Sequence, residues 1–305
     1  MREAIRAILD RGEHVVPSKG ANRELRGVTL QLTKPRARLS RSESRGKVFS
    51  ALGELLWYLS GSNATEQITH YIAGYAKFDE GGIIFGGYGP RLRGGSHDQL
   101  GTVTQLLRER SSTRRAVIQL FSSTDLLSDH KDVPCTCTLQ FLCREQRLDL
   151  VVYMRSNDVF TGLPHDVFCF TMLQELVARS LDVDLGRYIH MAGSLHLYDD
   201  NTDAAHQFLD EGWFSTTEML PMPAGDPMSS INELLRIESR LRGGADSMLE
   251  TLPADPYWAD LANLLVAYHL DPFARSDDLA LVRERMNSDV FDVHIADRIA
   301  RKRTI

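Results

Sequence analysis

Two short segments hold most of the side chains able to do chemistry. Val133-Pro134-Cys135-Thr136-Cys137 sets a thiol behind a proline that fixes the local backbone. Arg155-Ser156-Asn157-Asp158, with Asp166 a little further on, packs polar groups between apolar runs. A thiolate is the nucleophilic form of cysteine, and a nearby cation favours it. Arg155 and the adjacent pair Arg114-Arg115 are candidate cations. From the local residues alone Cys135 is either a nucleophile or a buried structural thiol. Arg114, Arg115, Arg155 and Ser156 also suit a phosphate, through bidentate charge-assisted bonds. The plainer alternative for the arginine pair is solvated charge at a strand start. The polar turn from Lys19 to Arg23 can add to a phosphate site.

Glu54 sits inside Ala51-Leu52-Gly53-Glu54-Leu55-Leu56-Trp57, the most apolar helix pattern in the chain. A carboxylate there must be paired, protonated or aimed into a cavity. It is either a glutamate that reaches the surface or one that moves protons through water. His196 and Tyr198 lie two apart on a strand and so share a face. They are ordinary core or rim residues, or a pair able to bond a sugar hydroxyl. The four cysteines form neither a zinc set nor a disulfide framework, so no metal is expected.

The elements that must position these groups follow from periodicity. Residues 3–10 read as a helix, 17–23 as a turn and 27–33 as a strand. Residues 47–59 form a buried helix stopped at Gly61-Ser62-Asn63. Glycines crowd 81–95, a loop around Tyr88. Strands are expected at 115–121 and 186–198, and a hairpin joins 138–143 to 148–154. Residues 167–181 read as a helix, for which Asp166 is an N-cap candidate. After the breaker cluster at 222–227, helical patterns follow at 229–242, 257–269 and 278–287. The division expected is a catalytic domain over 1–221 and a helical extension over 222–305 packed on it.

A chain of 305 residues can bury a large core, and its net charge of -6 argues against bulk nucleic-acid binding. No run reaches membrane-spanning length, and the amphipathic N-terminus lacks the pattern of a signal peptide. A cytoplasmic protein, with no membrane or nucleic-acid partner, is the expectation.

Order and spacing add a further reading. GELLWYLSGSN, YGPRLR, RRAVIQLF, VPCTCTLQF, MRSNDVFTGLPHDVF and GSLHLY resemble, in sequence order, the segments of the thymidylate synthase family, over roughly residues 20–200. The likeness is greatest to its pyrimidine hydroxymethylase branch. The resemblance implies an α+β fold, a mixed β-sheet packed with helices, and a homodimer. Cys135 would attack carbon 6 of a pyrimidine nucleoside monophosphate, and carbon 5 would take a one-carbon unit from 5,10-methylenetetrahydrofolate as co-substrate. Glu54 and Tyr88 would belong to the proton-transfer network. Arg114, Arg115, Arg155 and Ser156 would hold the 5′-phosphate, the first two reaching over from the other subunit, with Arg23 a further phosphate ligand. His196 and Tyr198 would bind the sugar 3′-hydroxyl, Asn157 would contact substrate, and Asp158 would orient the folate ring.

Asp166 stands where thymidylate-forming members carry an asparagine. An asparagine amide matches the ring N–H and carbonyl of uracil, whereas a carboxyl can accept from the amino group of cytosine and share a proton with its ring nitrogen. That would also stabilise charge developing on the ring. The expectation is therefore a dCMP or CMP 5-hydroxymethyltransferase. Thymidylate formation from dUMP, or a catalytically retired nucleotide-binding protein, are the alternatives. Thr136, His165, Phe78-Asp79-Glu80 and the tail Arg301–Ile305 depart from the thymidylate-forming pattern.

Overall fold

The computed structural model describes residues 1–42, 45–94, 97–212, 214–249 and 251–300. The tail departure at 301–305 therefore lies outside the described residues. Helix α1 (Arg2–Arg11) leads into strands β1 (Glu13–Val15) and β2 (Asn22–Leu32). Helices α2 (Val48–Leu59), α3 (Thr65–Tyr71), α4 (Tyr88–Arg93) and α5 (Gln99–Glu109) follow, then β3 (Val117–Gln119), β4 (Thr136–Arg144) and β5 (Arg147–Asp158). Helix α6 (Leu163–Ser180) crosses to β6 (Asp184–Tyr198). The chain continues through α7 (Thr202–Asp210), α8 (Met228–Arg242), α9 (Pro256–His269), α10 (Ser276–Glu284) and α11 (Asp292–Ala300).

The sheet has the order β1-β2-β6-β5-β4-β3. Every neighbouring pair is antiparallel except β5 and β6, which are parallel. A parallel pair needs a long crossover, and α6 supplies it. The β4–β5 hairpin turns through Glu145 and Gln146, both at positive φ (50° and 57°), as a two-residue turn matched to strand twist requires. The α+β mixed-sheet fold is as the sequence indicated.

Three local expectations are corrected. Asn22 and Arg23 belong to β2 and not to a turn. The glycine-rich loop at 81–95 contains the helix α4, which opens at Tyr88 itself. Helix α6 starts at Leu163, capped by Gly162, so Asp166 lies inside its first turn and is not an N-cap. The Pro164 ring explains the early start, because proline is pre-organised for the first helical positions. The amphipathic helices α5, α7 and α11 have no counterpart among the expected elements.

The inner face of the sheet (Leu139, Phe141, Leu148, Leu150, Val152) packs on α6 and α2. Leu234 and Ile237 of α8 and Leu261, Leu264 and Leu265 of α9 belong to the same apolar cluster. A second cluster joins Ile5 and Ile8 of α1 to Leu195 and Leu197 of β6. The other face of the central strands carries exposed apolar side chains, with no helix over them among the described residues. Tyr153 is directly opposite Met191, and both are about two-fifths exposed, as is Val117 on the edge strand. Among the described residues no helix is long and apolar enough to cross a membrane.

Candidate active site

Cys135 sits at the end of β4, half-buried, on a loop held by Arg155 of β5. Arg155 Nε donates to the Pro134 carbonyl and a terminal nitrogen donates to the Val133 carbonyl, each at 3.0 Å. The Arg155 backbone N–H donates to the Cys135 carbonyl at 2.9 Å. Burial pushes the Cys135 thiol above its ordinary pKa, with Asp132 and Asp166 acting in the same direction and Arg155 and Lys19 opposing. The neighbouring cations thus reduce the cost of the thiolate without cancelling it. The other cation, Lys19, donates to Asp132 at 3.1 Å and lies over the Phe78 ring. The sequence offered Lys19 as part of a polar turn able to add to a phosphate site, not as a cation beside Cys135. Its position between Pro17 and Gly20 was the available signal.

Behind the sulfur, the Tyr88 hydroxyl accepts from both the backbone N–H and the hydroxyl of Thr136, at 3.1 and 2.9 Å. Tyr88 leans on Tyr58, whose hydroxyl donates to Glu54 Oε1 at 2.9 Å. Tyr75 donates to the same oxygen at 2.7 Å. Glu54 is buried, so these two phenols supply the hydrogen bonds that its burial demands. The apolar pattern of α2 is thereby reconciled with a carboxylate in its middle.

Asp166 is buried, and its Oδ2 accepts from Asn157 Nδ2 at 2.7 Å. Burial raises its pKa well above the carboxylate range, and the nearby Glu54 raises it further, while the Asn157 bond works the other way. A neutral carboxylic acid, able to donate as well as accept, is the form favoured. Asn157 Oδ1 in turn meets His190 Nε2 at 3.0 Å, and His190 Nδ1 meets the Tyr188 hydroxyl at 2.8 Å.

His196 and Tyr198 do share a face, their rings in edge-on contact at 4.9 Å, and Asp158 is directly opposite His196. Burial lowers the pKa of His196, leaving a neutral ring. Ser156 is half-buried opposite Ser194. Arg23 is not brought to this group. It is directly opposite Leu197, which faces α1, and its guanidinium meets the Gly12 carbonyl. Arg114 and Arg115 are also apart. They are exposed and precede β3, where Phe141 donates to the Ala116 carbonyl and the Gln140 side chain to the Arg114 carbonyl. Level with the middle of β4, they stand roughly 20 Å along the strand from Cys135.

Asp158 Oδ1 accepts from the Phe160 N–H at 2.8 Å, and Oδ2 accepts from the Thr161 hydroxyl. The carboxylate is thereby fixed at the turn into α6, with lone pairs left for a donor on a bound ring. His165 Nδ1 donates to the Thr161 carbonyl at 3.0 Å, so its Nε2 takes the Ser50 hydroxyl at 2.9 Å.

Residues 3–224 match the family model described as thymidylate synthase. The chain belongs to the thymidylate synthase family. Among curated proteins it is similar to a deoxyuridylate hydroxymethyltransferase from Bacillus phage SP01, at 29% identity over 218 residues, which are 66% of this chain and 57% of that relative. The chain therefore spans little more than half of that relative's length.

The departures from the family's thymidylate-forming pattern have local explanations. Thr136, where the thymidylate-forming pattern has histidine after the cysteine, fastens the loop to Tyr88. In the 78–80 region, Glu80 accepts from the Lys131 N–H at 2.7 Å and meets His130 Nδ1 at 3.0 Å. Lys131 Nζ donates to the Asp79 carbonyl at 2.7 Å. The segment thus closes against His130 and Lys131, just ahead of Cys135.

Proposed function

We propose that the chain is a folate-dependent pyrimidine nucleotide C5 hydroxymethyltransferase acting on cytidylate, as dCMP or CMP. The observation that carries the base is the buried Asp166 beside Asn157, on the same site as Cys135. As a neutral acid it can give a proton to the unprotonated ring nitrogen of cytosine while accepting from the amino group. The added proton draws electron density from carbon 6, where the sulfur arrives.

In this reading Cys135 loses its proton and its sulfur bonds to carbon 6, which makes carbon 5 nucleophilic. Methylenetetrahydrofolate supplies a one-carbon unit at the oxidation level of formaldehyde. Carbon 5 takes that unit and gives up its proton. Glu54 receives protons through water, and the Tyr88 hydroxyl, its oxygen already accepting twice, has its hydrogen to donate. The bond from the transferred carbon to the folate nitrogen breaks, leaving an exocyclic methylene, and water then adds to it as the Cys135 sulfur leaves carbon 6. The sum is nucleotide, methylenetetrahydrofolate and water giving hydroxymethyl nucleotide and tetrahydrofolate. Addition of water and not hydride is supported by the phage relative, whose name is that of a hydroxymethyltransferase.

Arg155, Ser156 and Lys19 would meet the phosphate, His196 and Tyr198 the sugar, and Asp158 the folate ring. Arg114 and Arg115 lie too far along β4 to join them in one chain, so they would serve the site of a second copy. The uncovered sheet face with Tyr153, Met191 and Val117 is the surface on which that copy would dock, in an isologous dimer.

The second reading is the same chemistry on dUMP, favoured by the word deoxyuridylate in the relative's name. Product analysis separates the outcomes. Incubation with methylenetetrahydrofolate should give a hydroxymethyl product and tetrahydrofolate from dCMP or CMP, whereas such a product from dUMP alone would favour the second reading. Dihydrofolate with a methyl product would overturn the hydroxymethylation claim.

A further inference from the structure

A carboxylic acid has one donor and one acceptor oxygen, and either oxygen can carry the proton. Unless that choice is fixed, Asp166 matches cytosine in one form and uracil in the other. The line of buried groups behind it supplies the choice.

Tyr188 and His190 are fully buried, and Asn157 nearly so. The contacts run Tyr188 hydroxyl to His190 Nδ1 at 2.8 Å, His190 Nε2 to Asn157 Oδ1 at 3.0 Å, and Asn157 Nδ2 to Asp166 Oδ2 at 2.7 Å. Two polarities satisfy the middle of this line. In one, every donor points toward Asp166. In the other, the amide is flipped, His190 donates back to Tyr188, and Asp166 donates to Asn157. The reverse polarity leaves the Tyr188 hydroxyl hydrogen without a partner, because His190 is its sole hydrogen-bond contact among the described residues. A buried donor left unpaired costs about 1–3 kcal/mol. Tyr188 is thus the end stop that orients the line. Burial also lowers the His190 pKa to about 4, so the ring is neutral and has one N–H to place.

With the line so oriented, Oδ2 of Asp166 receives the amide and the acid hydrogen resides on Oδ1. We propose that Tyr188, His190 and Asn157 are positioning residues that fix which oxygen of Asp166 bears the proton, and so set the enzyme's choice between cytosine and uracil. This rests on the reading of Asp166 as the base reader.

The test is the ratio of dissociation constants for dCMP and dUMP, measured by calorimetry for the wild type, Tyr188→Phe, His190→Phe and Asp166→Asn. Tyr188→Phe deletes one oxygen from a packed ring and keeps the core intact, so it stands even where His190→Phe does not fold. The ratio should move toward unity by about tenfold in Tyr188→Phe and in His190→Phe, the worth of one buried hydrogen-bond match. A wild-type ratio in Tyr188→Phe, with a shifted ratio in Asp166→Asn, would overturn the positioning role alone. An unchanged ratio in Asp166→Asn would remove the base-reading role of Asp166 and this inference together.

Discussion

Arg155 donates through Nε to the carbonyl of Pro134 at 3.0 Å, so the cation beside Cys135 is committed to the backbone that carries it. Its fork spans the Val133 and Pro134 carbonyls. A lysine would keep the charge and lose the fork. Arg155→Lys should therefore lower kcat/KM by roughly 10²-fold, the cost of two charge-assisted bonds at about 1.5 kcal/mol each. Steady-state kinetics of the variant check this, and a loss under about threefold would show that charge alone suffices.

Burial holds the Cys135 thiol above its ordinary pKa, so the free protein keeps it protonated near neutrality. The thiolate fraction, and with it the rate of iodoacetamide alkylation, should keep climbing as pH rises through 9. Mass spectrometry of Cys135 modification across pH gives the profile. A plateau reached by pH 7 would mean that Arg155 and Lys19 outweigh burial.

The distance of Arg114 and Arg115 from Cys135 has a consequence in mixed assemblies. Cys135→Ser and the double variant Arg114→Ala/Arg115→Ala should each be inactive alone. Mixed and reassorted, they should recover roughly a quarter of wild-type activity, because half of the dimers then hold one complete site of two. No recovery in a mixture shown to reassort would exclude arginines supplied in trans.

Gly53 is the point where α2 meets α3. A Cβ there would lie 2.2 Å from the Tyr71 ring. Overpacking of this kind costs about 1–3 kcal/mol. Gly53→Ala should lower Tm by several degrees in a thermal melt, and an unchanged Tm would mean that Tyr71 moves aside freely.

Thr136 ties the nucleophile loop to Tyr88 through its hydroxyl at 2.9 Å. Thr136→Val preserves shape and removes that bond. About tenfold should be lost from kcat, with nucleotide affinity little changed, since the residues proposed to hold the phosphate and sugar are elsewhere. Paired kcat and binding measurements separate the two effects.

Much of this architecture was legible because period and spacing are local. The alternation in β4 and β5 and the apolar pattern of α2 follow from patterns within single segments, whereas the parallel pairing of β5 with β6 does not. The pairing of His196 with Tyr198 needed only the two-residue repeat of a strand. What escaped depends on partners far apart in the chain. Glu54 looked anomalous until Tyr58 and Tyr75 supplied its bonds. His190 drew no notice, because its meaning comes from Asn157 on the neighbouring strand. Arg23 looked like a phosphate ligand by position, but the register with Leu197 turns it toward Gly12. Asp166 was offered as a cap beside its base-reading role, and the cap fails because α6 starts at Leu163. Its burial became visible only with the helix extended to Leu163.

The central claim is that Cys135 activates a cytosine nucleotide that Asp166 reads. Release of tritium from carbon 5 of labelled dCMP, CMP and dUMP, with methylenetetrahydrofolate, tests both parts at once in the wild type and in Asp166→Asn. Faster release from dCMP or CMP than from dUMP, reversed by Asp166→Asn and abolished by Cys135→Ser, is the result expected. Faster release from dUMP in the wild type, or a cytosine preference untouched by Asp166→Asn, would contradict it.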